Sequence, residues 1–219
     1  MYKRQIYQAV FENRVVRFFL RAVPSLAETL MLGKILHEAR SEDRGRPRWD
    51  LVVVDAPATG HAVQFLGVPA ALLGTVPGGP LRRDAEWMQA LLTSPERTAV
   101  VLVSLPEEMP VTETAELDAQ IGNGLGLPRG PVFLNAMPDA RFTVSERERL
   151  RGLAASPPPL GPAARAAVLQ SEQQQRADAQ AARLRELLGR PVVPLPLLAA
   201  DRWGRRAVER IADAMDGSI

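Results

Sequence analysis

The amino-acid sequence predicts an α/β fold in which a mostly parallel β-sheet is flanked by helices. Four short apolar runs are rich in β-branched residues and lack polar alternation, which is typical of strands buried on both faces. Helical segments separate these runs, and such an alternation favours a parallel sheet. The chain has 219 residues, of which 46% are hydrophobic. It is therefore long enough to bury a core without disulfide bonds.

The first part of the chain contains two predicted helices and one predicted strand. Apolar residues at helical spacing predict an amphipathic helix from Ile6 to Arg21. A second helix is expected to follow a capping Ser25 and to run to about Arg40. A polar loop follows at residues 41–48. Leu51–Val54 is the first predicted strand and is expected to be buried.

The remaining chain continues the alternation of strands and helices. Further strands are predicted at residues 99–103, 132–134 and 192–193. Helices are predicted at about residues 82–92, 111–125 and 161–188. Tracts rich in Gly or Pro predict loops at residues 69–80 and 156–159. Neither tract is long enough to be a domain linker, so residues 6–219 are predicted to form a single domain.

The first five residues differ in kind from the rest. Met1-Tyr2-Lys3-Arg4-Gln5 matches, with a GTG start codon, the translated end of a widely used transposon-based sequencing adapter. We therefore expect residues 1–5 to be non-native. The native chain is then expected to begin upstream of Ile6, and the sequence to be a fragment.

Composition excludes several classes of function. The net charge of +2 provides no strong field for nucleic acid or an anionic membrane. The chain contains no cysteine, which excludes disulfides and thiolate zinc sites, and its two histidines cannot form a multi-histidine metal site. No run of about 18 uncharged apolar residues predicts a membrane span. Arginines interrupt the apolar N-terminal segment, unlike in a signal peptide, so a cytoplasmic location is predicted.

Polar or turn-forming residues follow each predicted strand. Asp55 follows the first strand, Glu107 the second, Asn135 the third, and the tract 194–198 closes the fourth. The carboxyl ends of parallel strands share one edge of a sheet, where ligands bind. An Asp in this position commonly holds magnesium-bound water near nucleotide phosphates. By itself the Asp is a weak signal, because a strand end often carries one as a helix cap or turn residue.

The longer string Asp55-Ala56-Pro57-Ala58-Thr59-Gly60-His61 is far more specific. Pro57 stiffens the turn, and Gly60 allows backbone conformations closed to other residues. Thr59 and His61 offer polar contacts.

With this string, residues 49–69 resemble the switch segment of the arsenite-pump (ArsA-type) and tail-anchored-protein-targeting ATPases. Three later segments are similar to that family in the right order. They are Pro106–Thr114, which resembles the start of a helix, Val132–Asn135, which resembles a strand ending in Asn, and Leu195–Gly204, which resembles an adenine loop.

The resemblance implies a dimeric ATPase of the deviant P-loop type that uses ATP and Mg²⁺. It implies that Asp55 organises magnesium and water, and that Thr59, Gly60 and His61 belong to the switch that reports nucleotide state. It further implies that Asn135 hydrogen-bonds adenine and that Glu107 contacts nucleotide. The adenine wall would comprise Pro196, Leu197, Leu198 and Asp201. The implied partners are a second copy or a paralogous ATPase, and a membrane-protein client or membrane partner, but no nucleic acid.

The sequence also departs from the family pattern. The N-terminal strand, the glycine-rich phosphate loop and the first switch are absent, and the only Gly-Lys pair, Gly33-Lys34, lies in a predicted helix. Asp201 stands where the family usually has Glu. We therefore expect the full parent to hydrolyse ATP and this chain to do so weakly or not at all. The alternatives are a non-hydrolysing partner that binds a client or a paralogue, and a related partition-type or iron–sulfur-assembly ATPase.

Overall fold

The structure is a computed structural model that describes residues 26–198 and 204–216. The chain divides into two compact units, Met1–Thr98 and Ala99–Ile219. The predicted helix at residues 6–21 and the capping Ser25 lie outside the described residues, as does Asp201.

The described part of the first unit consists of three helices and a short hairpin. They are α1 (Leu26–Ala39), β1 (Glu42–Asp43), β2 (Arg46–Pro47), α2 (Thr59–Thr75) and α3 (Pro80–Thr93). Helix α3 begins with Pro80 in its first turn, where the missing N–H is no loss. The core of this unit consists of Leu32, Leu36, Phe65, Val68 and Met88 from the three helices.

Two predictions for the first unit were wrong. Pro69 was placed in a loop, but it is buried inside α2, and the connection to α3 comprises only residues 76–79. Leu51–Val54 was predicted to be a buried strand, but these residues form no strand, and Leu51 and Val53 are 77% and 84% exposed. A strand requires a neighbour to bond its backbone groups. Among the described residues, none pairs with this run.

The second unit contains a three-stranded parallel sheet and four α-helices among its described residues. The elements are β3 (Val100–Ser104), α4 (Glu108–Ala119), a π-helix (Gln120–Gly124), β4 (Arg129–Met137), α5 (Val144–Leu153), α6 (Leu160–Leu188), β5 (Val193–Pro196) and α7 (Arg205–Asp216). The strand order is β3-β4-β5. The prediction of an α/β fold with a parallel sheet flanked by helices is thus confirmed. Helices α5 and α7 were not predicted.

The two faces of the sheet are covered differently. On one face, α4 approaches β3, and Thr114 bonds Ser104. On the other face, Phe133, Val193 and Leu195 pack against Ile211, Ala214 and Met215 of α7. The central strand β4 is therefore buried on both faces, as predicted. Strand β3 is not buried on both faces, because alternate residues such as Val103, which is 63% exposed, remain uncovered.

The amino-terminal side of the sheet is held by a buried ion pair. Asp118 of α4 pairs with Arg190, which precedes β5, and with Arg129, at the start of β4. Arg190 also donates to the carbonyl oxygen of Gly130 at 2.6 Å. Helix α6 ends just before this point because Gly189 adopts the left-handed conformation, at φ 62°.

Within residues 26–198 and 204–216, no helix is long and apolar enough to cross a membrane.

Candidate functional site

The site residues predicted in the second unit lie at the carboxyl edge of the parallel sheet. Glu107 follows β3 and is the residue from which α4 begins. Asn135 lies in β4 directly after Leu134, which pairs with Ser104 at the end of β3. Pro196 ends β5 and pairs with Met137 of β4. The structure thus brings Glu107, Asn135 and Pro196 to one edge of three neighbouring strands, where parallel α/β sheets bind ligands.

A backbone irregularity gives Asn135 an unusual setting. The pairing of β4 with β5 shifts register between Leu134 and Met137, and Ala136 has a left-handed backbone at φ 60°. Such irregularities re-aim side chains and are frequent next to active sites. Asn135 is half-buried, and its amide can both donate and accept hydrogen bonds. Recognition of a base edge requires a group of this kind.

The chain after β5 stays close to Asn135. The N–H of Leu197 donates to the carbonyl oxygen of Met137 at 2.8 Å, which extends the contact between the two strand ends by one residue. Leu197 is exposed, whereas Leu198 is buried. An exposed apolar side chain and the ring of Pro196 beside a half-buried amide can form one wall of a pocket for a planar aromatic ring.

The site residues predicted in the first unit lie around the start of α2. Thr59 is the first residue of this helix, Gly60 and His61 belong to its first turn, and Asp55 lies in the extended segment before it. All four residues are exposed. The side chain of the N-cap residue, Ala58, makes no capping hydrogen bond. The first backbone N–H groups of α2 therefore receive no side-chain cap from residue 58.

Thr59 has a left-handed backbone with φ 42°. This conformation is a genuine outlier for a β-branched residue. Strain of this kind clusters at active sites and switch regions, where the surrounding structure maintains it. Sequence reasoning identified the Thr59 side chain as a polar contact but missed the backbone strain, because no residue type predicts left-handed threonine.

A metal ion would find few protein ligands in the described residues. Across these residues no group of three or more His, Asp or Glu side chains is arranged to hold an ion. Mg²⁺ bound with nucleotide typically uses one or two carboxylates together with phosphates and waters. Asp55 is the carboxylate in the predicted string. The roles of Asp55 and His61 stay predictions.

Comparison with known proteins gives a partial match. The chain is 37% identical over 121 residues to ATPase BagA of Mycobacterium tuberculosis H37Rv. Two further proteins, the "Putative ATPase Mb3704" of Mycobacterium bovis and the "Putative ATPase MT3781" of Mycobacterium tuberculosis CDC 1551, match equally well. The match covers 55% of this chain and 35% of each relative, so the chain spans about a third of the length of these relatives. No family model matches the chain.

Proposed function

We propose that the chain is part of an ATP-binding ATPase of the arsenite-pump and tail-anchored-protein-targeting type, with the deviant P-loop fold. One observation carries the proposal. Glu107, Asn135 and Pro196 lie at the carboxyl edge of neighbouring parallel strands, in the places where the family resemblance needs nucleotide-binding groups. The names of the mycobacterial relatives support the same activity.

In this proposal the sheet edge of the second unit binds the base. The half-buried amide of Asn135 donates to and accepts from the adenine edge, while Pro196 and Leu197 contact the ring. Leu198 and Asp201 complete the wall, and Glu107 contacts the nucleotide. Discrimination of adenine from guanine then depends mainly on Asn135, because a site built to hydrogen-bond one base edge leaves its polar groups unpaired with another.

We also propose that the start of α2 binds phosphate. The uncapped N–H groups of this helix favour negative charge. Asp55 holds the magnesium ion and its water. The strained backbone of Thr59, with Gly60 and His61, forms the switch that changes shape with nucleotide state. That change opens and closes a dimer of this protein with itself or with a paralogue, and couples it to a membrane-protein client or membrane partner.

Base selectivity provides the first test. A fluorescent adenine nucleotide is displaced from the chain by ATP or by GTP, with Mg²⁺ present. Asn135→Ala is expected to weaken ATP binding by roughly tenfold and to leave GTP binding nearly unchanged, since it removes hydrogen bonds specific to adenine. Asn123→Ala is the matched control, because this exposed Asn precedes β4 at the opposite side of the sheet. Equal binding of ATP and GTP by the unaltered chain would contradict the proposal.

Phosphate release provides the second test. The only Gly-Lys pair, Gly33-Lys34, lies within α1 and not in a glycine-rich loop before a helix. We therefore expect this chain to release phosphate from ATP weakly or not at all, and the longer parent protein to release it readily. Asp55→Asn in the parent should abolish magnesium-dependent release while leaving adenine binding intact. Rapid hydrolysis by this chain would support the ATPase but contradict its description as a fragment.

The second candidate function is a non-hydrolysing subunit that binds nucleotide or client. The helical position of Gly33-Lys34 favours it. A parent whose upstream sequence lacks a lysine-bearing phosphate loop, and which binds ATP without releasing phosphate, would establish this alternative.

A further inference from the structure

We propose that Ser104 and Thr114 are positioning residues for Glu107; this inference rests on the proposed contact between Glu107 and nucleotide. Both hydroxyl-bearing residues are buried, with Ser104 4% and Thr114 8% exposed. Ser104 ends β3, and Thr114 lies in the second turn of α4. The Thr114 hydroxyl donates to the Ser104 hydroxyl oxygen at 2.9 Å.

The pair is connected to the backbone of Glu107 by shared hydrogen bonds. The Ser104 hydroxyl lies 3.4 Å from the carbonyl oxygen of Leu105 and donates to it. The same carbonyl accepts the N–H of Glu107 at 2.8 Å. The carbonyl of Glu107 in turn accepts the first helical N–H of α4, from Val111, at 3.1 Å. A series of bonds therefore runs from Thr114 in α4 through Ser104 and the Leu105 carbonyl to the N–H of Glu107, and a separate helical bond from Val111 holds the Glu107 carbonyl.

Burial makes the bond between Ser104 and Thr114 a firm contact between β3 and α4. A hydroxyl removed from water is costly unless it is hydrogen-bonded, so each partner keeps the other in place. The Glu107 side chain is exposed, and its position depends on the tight turn formed by Leu105, Pro106 and Glu107. Ser104 borders that turn on the strand side, and Thr114 ties Ser104 to helix α4.

The test uses the whole chain and three substitutions in the pair. Thr114→Val keeps the shape but removes the donor, Thr114→Ser keeps the hydroxyl, and Ser104→Ala removes the acceptor. Hydrogen exchange of the Glu107 amide, followed by NMR, reports the turn directly and requires no nucleotide. Affinity for a fluorescent ADP is measured for the same variants, and for Thr114→Val combined with Glu107→Ala.

We expect the Glu107 amide to exchange roughly tenfold faster in Thr114→Val and Ser104→Ala, and at the original rate in Thr114→Ser. ADP affinity should fall roughly tenfold in Thr114→Val and recover in Thr114→Ser. In the Glu107→Ala background, Thr114→Val should cause no further loss, because the pair acts through Glu107.

Two results would overturn the inference. One is unchanged exchange of the Glu107 amide in Thr114→Val. The other is a loss of ADP affinity of the same size with and without Glu107. If the unaltered chain binds no ADP, the proposed nucleotide function fails, and amide exchange alone then decides whether Ser104 and Thr114 hold Glu107.

Discussion

Two apolar runs of similar composition have opposite environments in the two units. Leu51–Val54 in the first unit is exposed and forms no strand with any other described residue. Val100–Ser104 in the second unit forms β3, which pairs with β4 and is covered on one face. This difference shows that β-propensity reflects how a side chain packs against neighbouring strands more than an intrinsic preference of the backbone.

The same contrast applies to the predicted site residues of the two units. Glu107, Asn135 and Pro196 lie in or directly after strands whose backbones are bonded to one another. Asp55 follows a run that has no bonded neighbour among the described residues. We therefore expect Glu107, Asn135 and Pro196 to be more ordered in solution than Asp55.

Core truncation should separate the exposed run from the parallel sheet by the largest amount. Leu134→Ala removes a side chain that is 0% exposed at the centre of the sheet. It is expected to lower the free energy of unfolding by about 3 kcal/mol, from lost burial and the remaining cavity. Leu51→Ala, the same chemical change in the exposed run, should change it by less than about 0.5 kcal/mol.

Urea denaturation followed by circular dichroism measures both variants against the unaltered chain. A loss for Leu51→Ala as large as that for Leu134→Ala would mean that residues 51–54 are packed in solution, as a strand would be.

The sequence predicted the elements that depend on local signals better than those that depend on a distant neighbour. Strand β4 and helix α6 were predicted because apolar runs and helix-forming residues are local signals. Whether Leu51–Val54 would pair with another strand could not be predicted, since strand pairing depends on a neighbour distant in sequence. Helix α2 continues through Pro69, and its packing through Phe65 and Val68 overrides the local signal.

The two unpredicted helices did leave signals in the sequence. Thr143 and Glu146 form a capping box at the start of α5, a pattern readable as Thr-x-x-Glu. In α7, Ile211, Ala214 and Met215 recur at helical spacing and contact the sheet. The places of Glu107, Asn135 and Pro196 were predictable to the level of strand ends, because parallel strands bring their carboxyl ends together, whereas the strand expected before Asp55 does not form. The left-handed backbones of Thr59 and Ala136 were not predictable, because tertiary structure imposes them.

Ion pairs provide a second, smaller contrast between the units. In the second unit, the Asp118 side chain is only 9% exposed and pairs with Arg129 and Arg190. Asp118→Asn leaves both guanidinium groups without a counter-charge and is expected to cost about 2–3 kcal/mol. In the first unit, Asp84 pairs with Arg40 at 2.8 Å, but both side chains are well exposed. Asp84→Asn should therefore cost less than about 0.5 kcal/mol.

Thermal unfolding of the two Asp→Asn variants, at low and at high salt, checks this contrast. The loss for Asp118→Asn should persist at high salt, because burial limits screening. An equally large and salt-resistant loss for Asp84→Asn would show that burial does not set the difference.

The smallest effect concerns a carboxylate beside the exposed run. Hydrogen bonds from Lys34 and then from Trp49 lower the pKa of Glu38 from 4.5 to about 2. Because this folded-state pKa lies below the unfolded value, the stabilisation is present above about pH 4.5 and is lost as the pH falls through about 2.

The NMR signal of the Trp49 indole N–H should then stay constant through the ordinary carboxylate range and shift only at lower pH. Glu38→Gln should remove that shift. A midpoint of the Trp49 signal near the ordinary carboxylate value of about 4.3 would mean that Trp49 does not hold Glu38 in solution. The segment that leads into Leu51–Val54 would then lack its contact with α1.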